Sequence, residues 1–156
     1  MSNIVIEQRT LQIGGRTAAF AIMGSGDPVL FLHGAGIIGG WDFARPWAEK
    51  FQVICPLQPG WGGSDDPVAG MTVEDYVDWN LALLDALGIR SCHLIGFSMG
   101  GWIASTLAAR HPDRVRKLVL VAPAGYWSAD CPPADLFAID PADILGYLAA
   151  DPSVLL

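Results

Sequence analysis

Hydrophobic residues along this chain cluster in short apolar runs. Glycine-rich turns and longer segments of helical periodicity separate these runs. Residues 4–13 alternate loosely, Gly14 and Gly15 turn the chain, and residues 17–23 follow, which predicts a hairpin of two strands. Further short runs that are apolar, or apolar at their centre, occur at residues 29–32, 53–55, 92–95 and 115–121. Runs without polar alternation are typical of strands that are covered on both faces.

Helical periodicity occupies the segments between these runs. The clearest helix is predicted over residues 73–87, with Thr72 and Asp75 suited to a capping box and Gly88 to a left-handed end. Shorter helices are predicted near Pro46, from Ser98 to about Arg110, and from Asp140. Two strands followed by strand–helix alternation predict an α/β fold with a mostly parallel sheet and helices on both faces.

Composition and charge exclude several classes of protein. The 156 residues are 52% hydrophobic and 16% charged, which argues against disorder and fits about one domain. A net charge of −7 argues against nucleic acid and anionic membranes as partners. The sequence begins with no signal-peptide pattern and has no apolar stretch long enough to span a membrane. We therefore expect a cytoplasmic protein.

The cysteines give no indication of a metal or redox site. Cys55, Cys92 and Cys131 lack the spacings of zinc or dithiol motifs, and Cys55 and Cys92 fall in or beside predicted strands. A reduced, buried cysteine behaves as a small hydrophobic side chain. We expect neither a metal nor a cofactor.

The strongest chemical signal is the G-x-S-x-G pattern at residues 96–100, with Ser98 at its centre. A short apolar strand precedes it and a helix follows, which is the context of a nucleophile elbow. Gly96 and Gly100 have no Cβ to collide with neighbouring elements, and the start of the helix directs its positive end toward the serine. The alternative is a plain Gly-Ser turn, but the context favours a catalytic nucleophile.

A second signal is the His33-Gly34-Ala35-Gly36 loop after the third predicted strand. Acyl transfer requires two backbone N–H groups directed at the developing oxyanion. In the elbow arrangement, one comes from the residue after the nucleophile, Met99, and the other from this loop, for which we choose Ala35. The alternative is a glycine turn at the end of a strand.

These motifs together resemble the α/β-hydrolase family, which includes esterases, C–C bond hydrolases and proline iminopeptidases. The matching segments are LHGAG (32–36), PGWGGS (59–64), GFSMGG (96–101) and RHPDRV (110–115). The resemblance implies that residues 1–124 form the N-terminal part of the hydrolase core, with strands one to six of eight, and that residues 125–156 open a cap. The expectation is a chain truncated after strand six and the start of the cap.

One position departs from the family's pattern in the fourth-strand loop, and two others narrow the activity that the resemblance implies. The family usually carries an acid two residues before the Pro-Gly of the fourth-strand loop, where this chain has Leu57. Dehalogenases and epoxide hydrolases of this fold use Asp as the nucleophile, so Ser98 argues against those reactions. C–C hydrolases often have Asn before the serine, where Phe97 stands, so esterases rank ahead of them.

The catalytic base is the missing component. The family order is Ser, then Asp or Glu, then His, and no histidine follows His111. His33 belongs to the loop of residues 33–36, which we call the oxyanion loop. His93 begins the strand that leads to Ser98, and His111 lies at the far end of the helix that Ser98 starts. The base and its acid are therefore expected outside these residues, and catalysis by this chain alone is expected to be weak.

The predicted function is hydrolysis of a small ester or related acyl compound through an acyl-serine intermediate on Ser98. The alternative is a non-catalytic protein that binds a ligand or is completed by a partner. Trp41, Phe97 and Trp102 are candidates to line the substrate pocket, although large aromatic side chains are more often in the core. The partner is a small-molecule substrate, and the sequence leaves the oligomeric state open.

Overall fold

The computed structural model describes residues 4–36, 40–130, 132–135, 138–140, 142–148 and 151. Its strands are β1 (Glu7–Ile13), β2 (Arg16–Met23), β3 (Asp27–Leu32), β4 (Phe51–Pro56), β5 (Cys92–Phe97) and β6 (Val115–Val121). Its α-helices are α1 (Arg45–Ala48), α2 (Val73–Ala86), α3 (Met99–Arg110) and α4 (Ile144–Leu148), with 3₁₀ turns at Asp42–Ala44 and Pro112–Arg114. The chain divides into two compact units at Gly125, and the sheet lies in the first.

The six strands form one sheet in the order β1-β2-β4-β3-β5-β6. The pairs β1–β2 and β2–β4 are antiparallel, and the pairs β4–β3, β3–β5 and β5–β6 are parallel. β3 therefore lies between β4 and β5. The chain continues from β3 to β4 on one side and then crosses to β5 on the other, so the strand order reverses at β3. Such a switch point opens a crevice at the carboxyl ends of the strands, where α/β proteins bind their ligands.

Alternation along β3 separates two apolar cores, one on each face of the sheet. Leu30 and Leu32 belong to the core that α2 and α3 cover. Phe31 belongs to the opposite core, which includes Ala48 of α1. Successive side chains of a strand point to opposite faces, so β3 contributes to both cores. The predicted α/β class, with helices on both faces of a mostly parallel sheet, is confirmed.

The observed boundaries differ from the predicted ones for local reasons. β1 begins at Glu7, which pairs with Ile22 near the end of β2, because β2 itself stops at Met23 before the left-handed Gly24. Helix α4 begins at Ile144 instead of Asp140, whose carboxylate accepts a hydrogen bond in the turn that precedes the helix.

Helix α2 starts at the predicted residue and ends at Ala86, one residue before the predicted end. The Thr72 hydroxyl accepts a hydrogen bond from the Asp75 amide, and the Asp75 carboxylate accepts one from the Thr72 amide, which completes the capping box. Gly88 has a φ of 70° and follows the end of the helix. Both ends of α2 are therefore capped by the residues that the sequence predicts.

Both cysteines in the described residues are reduced and buried, as expected. Burial raises the pKa of the Cys55 thiol to about 12 and that of the Cys92 thiol to about 11. These thiols therefore stay protonated and serve as core packing. Of the helices in the described segments, none combines the length and the apolar character that a membrane span requires.

Candidate active site

Ser98 lies between the end of β5 and the start of α3, in a backbone conformation that is rare for a residue with a side chain. Its φ is 53° and its ψ is −118°. The Ser98 N–H donates to the Val121 carbonyl at 3.0 Å. The Ser98 carbonyl accepts hydrogen bonds from Gly101 at 2.9 Å and Ala124 at 3.0 Å. Strained conformations of this kind persist only when the surrounding structure imposes them, and they cluster at functional sites.

Glycines allow the elbow to fit between its neighbours. A Cβ at Gly100 would overlap the Leu32 carbonyl, and a Cβ at Gly96 would lie 2.7 Å from the Cβ of Ala104. Helix α3 therefore approaches both β3 and β5 more closely than a larger residue permits. This is the close approach that the G-x-S-x-G pattern predicts.

The loop after β3 lies directly beside Ser98. Leu32 pairs with Gly96 across β3 and β5, so both strands deliver their following loops to the same point of the sheet edge. A Cβ built on Gly34 would lie 3.1 Å from the Cβ of Ser98. The two segments that the sequence assigned to one reaction are therefore neighbours in the fold.

Neither of the two proposed oxyanion donors has a competing acceptor among the described residues. Among the described residues, the N–H groups of Ala35 and Met99 donate to no protein acceptor. Ala35 is exposed, and Met99 is the first residue of α3, where backbone N–H groups lack partners within the helix. N–H groups that are free to bind a ligand oxygen, in segments that adjoin a serine, are what an oxyanion hole requires.

His33 is a structural histidine in the loop after β3. Its Nδ1 lies 2.7 Å from the Gly34 carbonyl oxygen, and its Nε2 accepts a hydrogen bond from the backbone N–H of Gln58 at 3.0 Å. A carbonyl only accepts and an amide N–H only donates, so His33 is the neutral tautomer with the proton on Nδ1. Burial lowers the pKa of His33, against the opposing effect of its bond to Gly34. Since both nitrogens are occupied, His33 is not the base for Ser98.

The other two histidines lie away from Ser98. His93 is the second residue of β5, and its ring contacts Phe51 with the centroids 5.8 Å apart. His111 follows the 12 residues of α3, which extend about 18 Å at 1.5 Å per residue. Neither position is within hydrogen-bonding reach of Ser98, in agreement with the sequence analysis.

The three aromatic residues proposed for the pocket have different surroundings. Phe97 is 45% exposed, and its ring lies beside Gly34. Trp102 is 43% exposed and lines an apolar cleft of about 400 Å³ together with Met99. Trp41 is only 5% exposed because it packs in an aromatic cluster with Phe31 and Phe43, which leaves little of it for a ligand. Pocket lining by any of the three stays a prediction.

The loop after β4 is well held despite Leu57. The Leu57 N–H donates to the Ala19 carbonyl at 2.9 Å, and the Ser64 hydroxyl donates to the Leu57 carbonyl at 2.6 Å. The Ala19 N–H in turn donates to the Ser64 hydroxyl. The family's usual acid is therefore not needed to close this loop.

Sequence reasoning missed a buried pair of amide side chains, Gln58 and Asn80. The Gln58 Nε2 donates to the Asn80 Oδ1 at 3.1 Å, and the Asn80 Nδ2 donates to the Gln58 Oε1 at 2.8 Å. Both residues are fully buried. The signal was present in the sequence, because Asn80 falls on the apolar stripe of α2, where a polar side chain requires a buried partner.

Over the segments that the structure describes, no group of three or more His, Cys, Asp or Glu side chains is placed to hold a metal ion.

Comparison with known proteins agrees with this geometry. A model of the family described as "alpha/beta hydrolase fold" matches residues 27–147. The chain is 41% identical over 108 residues to the 2-hydroxymuconate semialdehyde hydrolase of Pseudomonas sp. (strain CF600), covering 65% of this chain and 38% of the relative. The matched stretches span less than half of such curated relatives.

Two solved structures superpose on more than nine-tenths of this chain. The 2-hydroxy-6-oxo-6-phenylhexa-2,4-dienoate hydrolase of Rhodococcus sp. strain RHA1 superposes with a TM-score of 0.75 at 27% identity, over 96% of this chain and 55% of that chain. A membrane phospholipase A described as a bacterial virulence factor superposes with a TM-score of 0.78 at 29% identity, over 92% of this chain and 50% of that one.

Proposed function

This chain belongs to the α/β-hydrolase fold family, and on that premise we propose that Ser98 is the nucleophile of a hydrolase that forms an acyl-serine intermediate. The observation that carries the proposal is the position of Ser98 in a strained elbow, beside a loop whose Ala35 amide has no acceptor among the described residues. The Met99 amide, next to Ser98 in the chain, is equally without such an acceptor.

The proposed reaction proceeds in two stages. Ser98 Oγ gives its proton to the general base and attacks the substrate carbonyl carbon, and the N–H groups of Ala35 and Met99 stabilise the oxyanion that forms. The bond to the leaving group breaks, the leaving group takes the proton from the base, and the acyl group stays on Ser98. Water then attacks the acyl-serine, which releases the acid and restores the hydroxyl. The start of α3 adds a favourable dipole to the oxyanion.

For the general base, we propose a histidine outside these 156 residues. His33 is engaged at both nitrogens, and His93 and His111 lie away from Ser98. In serine proteases, a site that lacks one member of its triad keeps a residual acceleration of about 10³–10⁴-fold over water. We therefore expect only weak turnover from this chain alone.

As the substrate class, we propose a small carboxylic ester. Phe97 precedes the nucleophile and is half exposed, and the phospholipase A structure is among the similar folds. A C–C bond hydrolase is the second candidate, because the relatives at 41% and 27% identity carry dienoate or semialdehyde hydrolase names. Comparing cleavage of short-chain p-nitrophenyl esters with cleavage of 2-hydroxy-6-oxo-dienoates distinguishes the two classes.

The nucleophile is tested by prolonged labelling with an excess of fluorophosphonate, which reacts with nucleophilic serines. Since the proposed base lies outside these residues, we expect one slowly formed adduct by intact mass, located on Ser98, and none in Ser98→Ala. The matched control is Ser105→Ala on the same helix, where the hydroxyl bonds to the Trp102 carbonyl. Ser105→Ala should label at the wild-type rate.

Equal labelling of wild type and Ser98→Ala would reject the proposal. Absence of any adduct on the folded wild-type chain, with an oxyanion site that nonetheless binds a small carboxylate, would favour the non-catalytic alternative. Circular dichroism establishes that each variant is folded before its labelling rate is compared.

A further inference from the structure

We propose that Gln58 and Asn80 act as positioning residues for the oxyanion loop, through His33. The inference rests on the proposed function insofar as it takes Ala35 to be an oxyanion donor. Three hydrogen-bonded steps lead from the oxyanion loop to helix α2.

The first step connects His33 to the Ala35 amide. The protonated Nδ1 of His33 donates to the Gly34 carbonyl at 2.7 Å. That carbonyl and the Ala35 N–H belong to one planar trans peptide unit, in which C=O and N–H point in opposite directions. Fixing the direction of the Gly34 carbonyl therefore fixes the direction of the Ala35 N–H.

The second step connects Gln58 to the tautomer of His33. The Gln58 backbone N–H donates to Nε2 at 3.0 Å, which requires Nε2 to be unprotonated and the proton to lie on Nδ1. If Gln58 moves away, the Nε2-protonated tautomer becomes accessible, and the bond to the Gly34 carbonyl is lost. The position of Gln58 in the loop after β4 thus decides whether His33 can hold the oxyanion loop.

The third step connects Gln58 to Asn80 on α2. The two side-chain amides form a reciprocal pair, with bonds of 3.1 Å and 2.8 Å. The Asn80 Nδ2 also donates to the Tyr76 carbonyl at 2.7 Å, so a flip of the Asn80 amide would bring two carbonyl oxygens together. The orientation of Asn80 is therefore fixed by its own helix, and Gln58 is held in turn.

The pair has a specific role beyond filling space. Apolar side chains of similar size would fill the same volume without the cost of burying two amides. A fully satisfied buried polar network is instead suited to fixing one arrangement of the elements it joins. Here it joins helix α2 to the loop after β4, which holds His33.

The test measures the tautomer of His33 and the reactivity of Ser98 in the 156-residue chain. Long-range ¹H–¹⁵N spectra of histidine-labelled wild type should show His33 protonated at Nδ1 and unprotonated at Nε2. In Asn80→Leu, we expect the Nε2 signal to shift or broaden. We also expect fluorophosphonate labelling of Ser98 to slow about tenfold or more, since small misplacements of catalytic groups cost up to about 10²-fold.

The matched control is Leu84→Val, a change in the buried face of the same helix that leaves the amide pair intact. It should lower stability while preserving the His33 signals and the labelling rate. A folded Asn80→Leu chain with unchanged His33 signals and a labelling rate within about twofold of wild type would overturn the proposal, because a displaced oxyanion donor costs far more.

Two measurements keep the test decisive if Asn80→Leu does not fold. Gln58→Met removes the side-chain amide from the loop, and the same His33 shift and slower labelling are expected. A wild-type spectrum with His33 protonated at Nε2 would overturn the inference without any variant. If instead the spectra behave as expected but Ser98 never labels, the proposed function fails while the positioning of the loop stands.

Discussion

At the scale of single residues, the elbow depends on backbone hydrogen bonds that hold Ser98 in its unusual conformation. A non-glycine residue at positive φ costs about 1–3 kcal/mol. Val121, Gly101 and Ala124 all bond to the Ser98 backbone, so the bonds that offset the strain come from β6, α3 and the segment after β6. The backbone conformation of Ser98 is thus a property of the tertiary structure.

A substitution at Gly100 tests whether the elbow depends on the close packing of α3 against β3. In Gly100→Ala, the new Cβ would overlap backbone atoms of Leu32 and His33, which have no freedom to rotate away. We expect a loss of at least about 1–3 kcal/mol in the free energy of unfolding, the usual cost of overpacking. Urea denaturation followed by circular dichroism measures it.

The control for Gly100→Ala is Gly146→Ala, at a helical glycine where the new Cβ would meet no described atom outside the backbone of its own helix. That change should alter stability by less than about 1 kcal/mol, because alanine is favoured over glycine within helices. Equal stability of the two variants would contradict the close approach of α3 to β3.

At the scale of elements, helix α2 is the support from which Asn80 reaches the loop after β4. Its start is fixed by the capping box of Thr72 and Asp75, and its buried face lies against α3 and the sheet. Stability of the first turn of α2 therefore contributes to the placement of the site, because Tyr76 and Asn80 belong to the turns that follow.

Thr72→Ala tests the capping box. Loss of the side-chain acceptor should cost about 1 kcal/mol of unfolding free energy, as is usual for N-cap threonines. The matched control is Thr106→Ala in α3, where the hydroxyl bonds to the Trp102 carbonyl four residues earlier and contributes little to the helix. Thermal unfolding should place Thr72→Ala clearly below Thr106→Ala. The reverse order would contradict this role.

Local signals explain why the elements were predictable and part of the site was not. The capping box, Gly88 and the G-x-S-x-G pattern act within a few residues of one another, so their meaning is local. The pair of Gln58 and Asn80 joins positions 22 residues apart, and it depends on how a loop packs against a helix.

Trp41 shows the same limit of local reasoning. A tryptophan at this position suited a pocket wall. Its burial follows from its packing against Phe31 and Phe43, and no local sequence pattern predicts that packing. Ser98 and the loop after β3, in contrast, were predicted as neighbours, because the register of parallel strands brings their ends to one edge.

At the scale of the whole molecule, β6 is the feature from which we predict behaviour in solution. It lies last in the order of the described strands, and Leu118, Val119 and Val121 are exposed on it. Unpaired strand edges and open apolar surface promote association between chains. The net charge of −7 opposes association only in part, since Arg116 and Lys117 place positive charge on the same strand.

We expect the purified 156-residue chain to self-associate, and Val119→Lys to reduce its average mass. A lysine on an edge strand disfavours pairing with a second chain. The control, Val68→Lys, adds the same charge at an exposed position outside the sheet and should leave association unchanged. Light scattering after size exclusion measures the mass. A monomeric wild type, or an equal effect of both lysines, would contradict the role of β6.

The hydrogen bonds of Ser98 also have a consequence for proton exchange with solvent. Its N–H joins β5 to β6 through Val121, and its carbonyl accepts the N–H of Ala124. A hydrogen-bonded backbone N–H exchanges its proton only when the bond opens. Because Val121 is the last residue of the edge strand β6, we expect the Ser98 N–H to exchange whenever β6 separates from β5, so its exchange rate reports how firmly the edge of the sheet holds Ser98 in place.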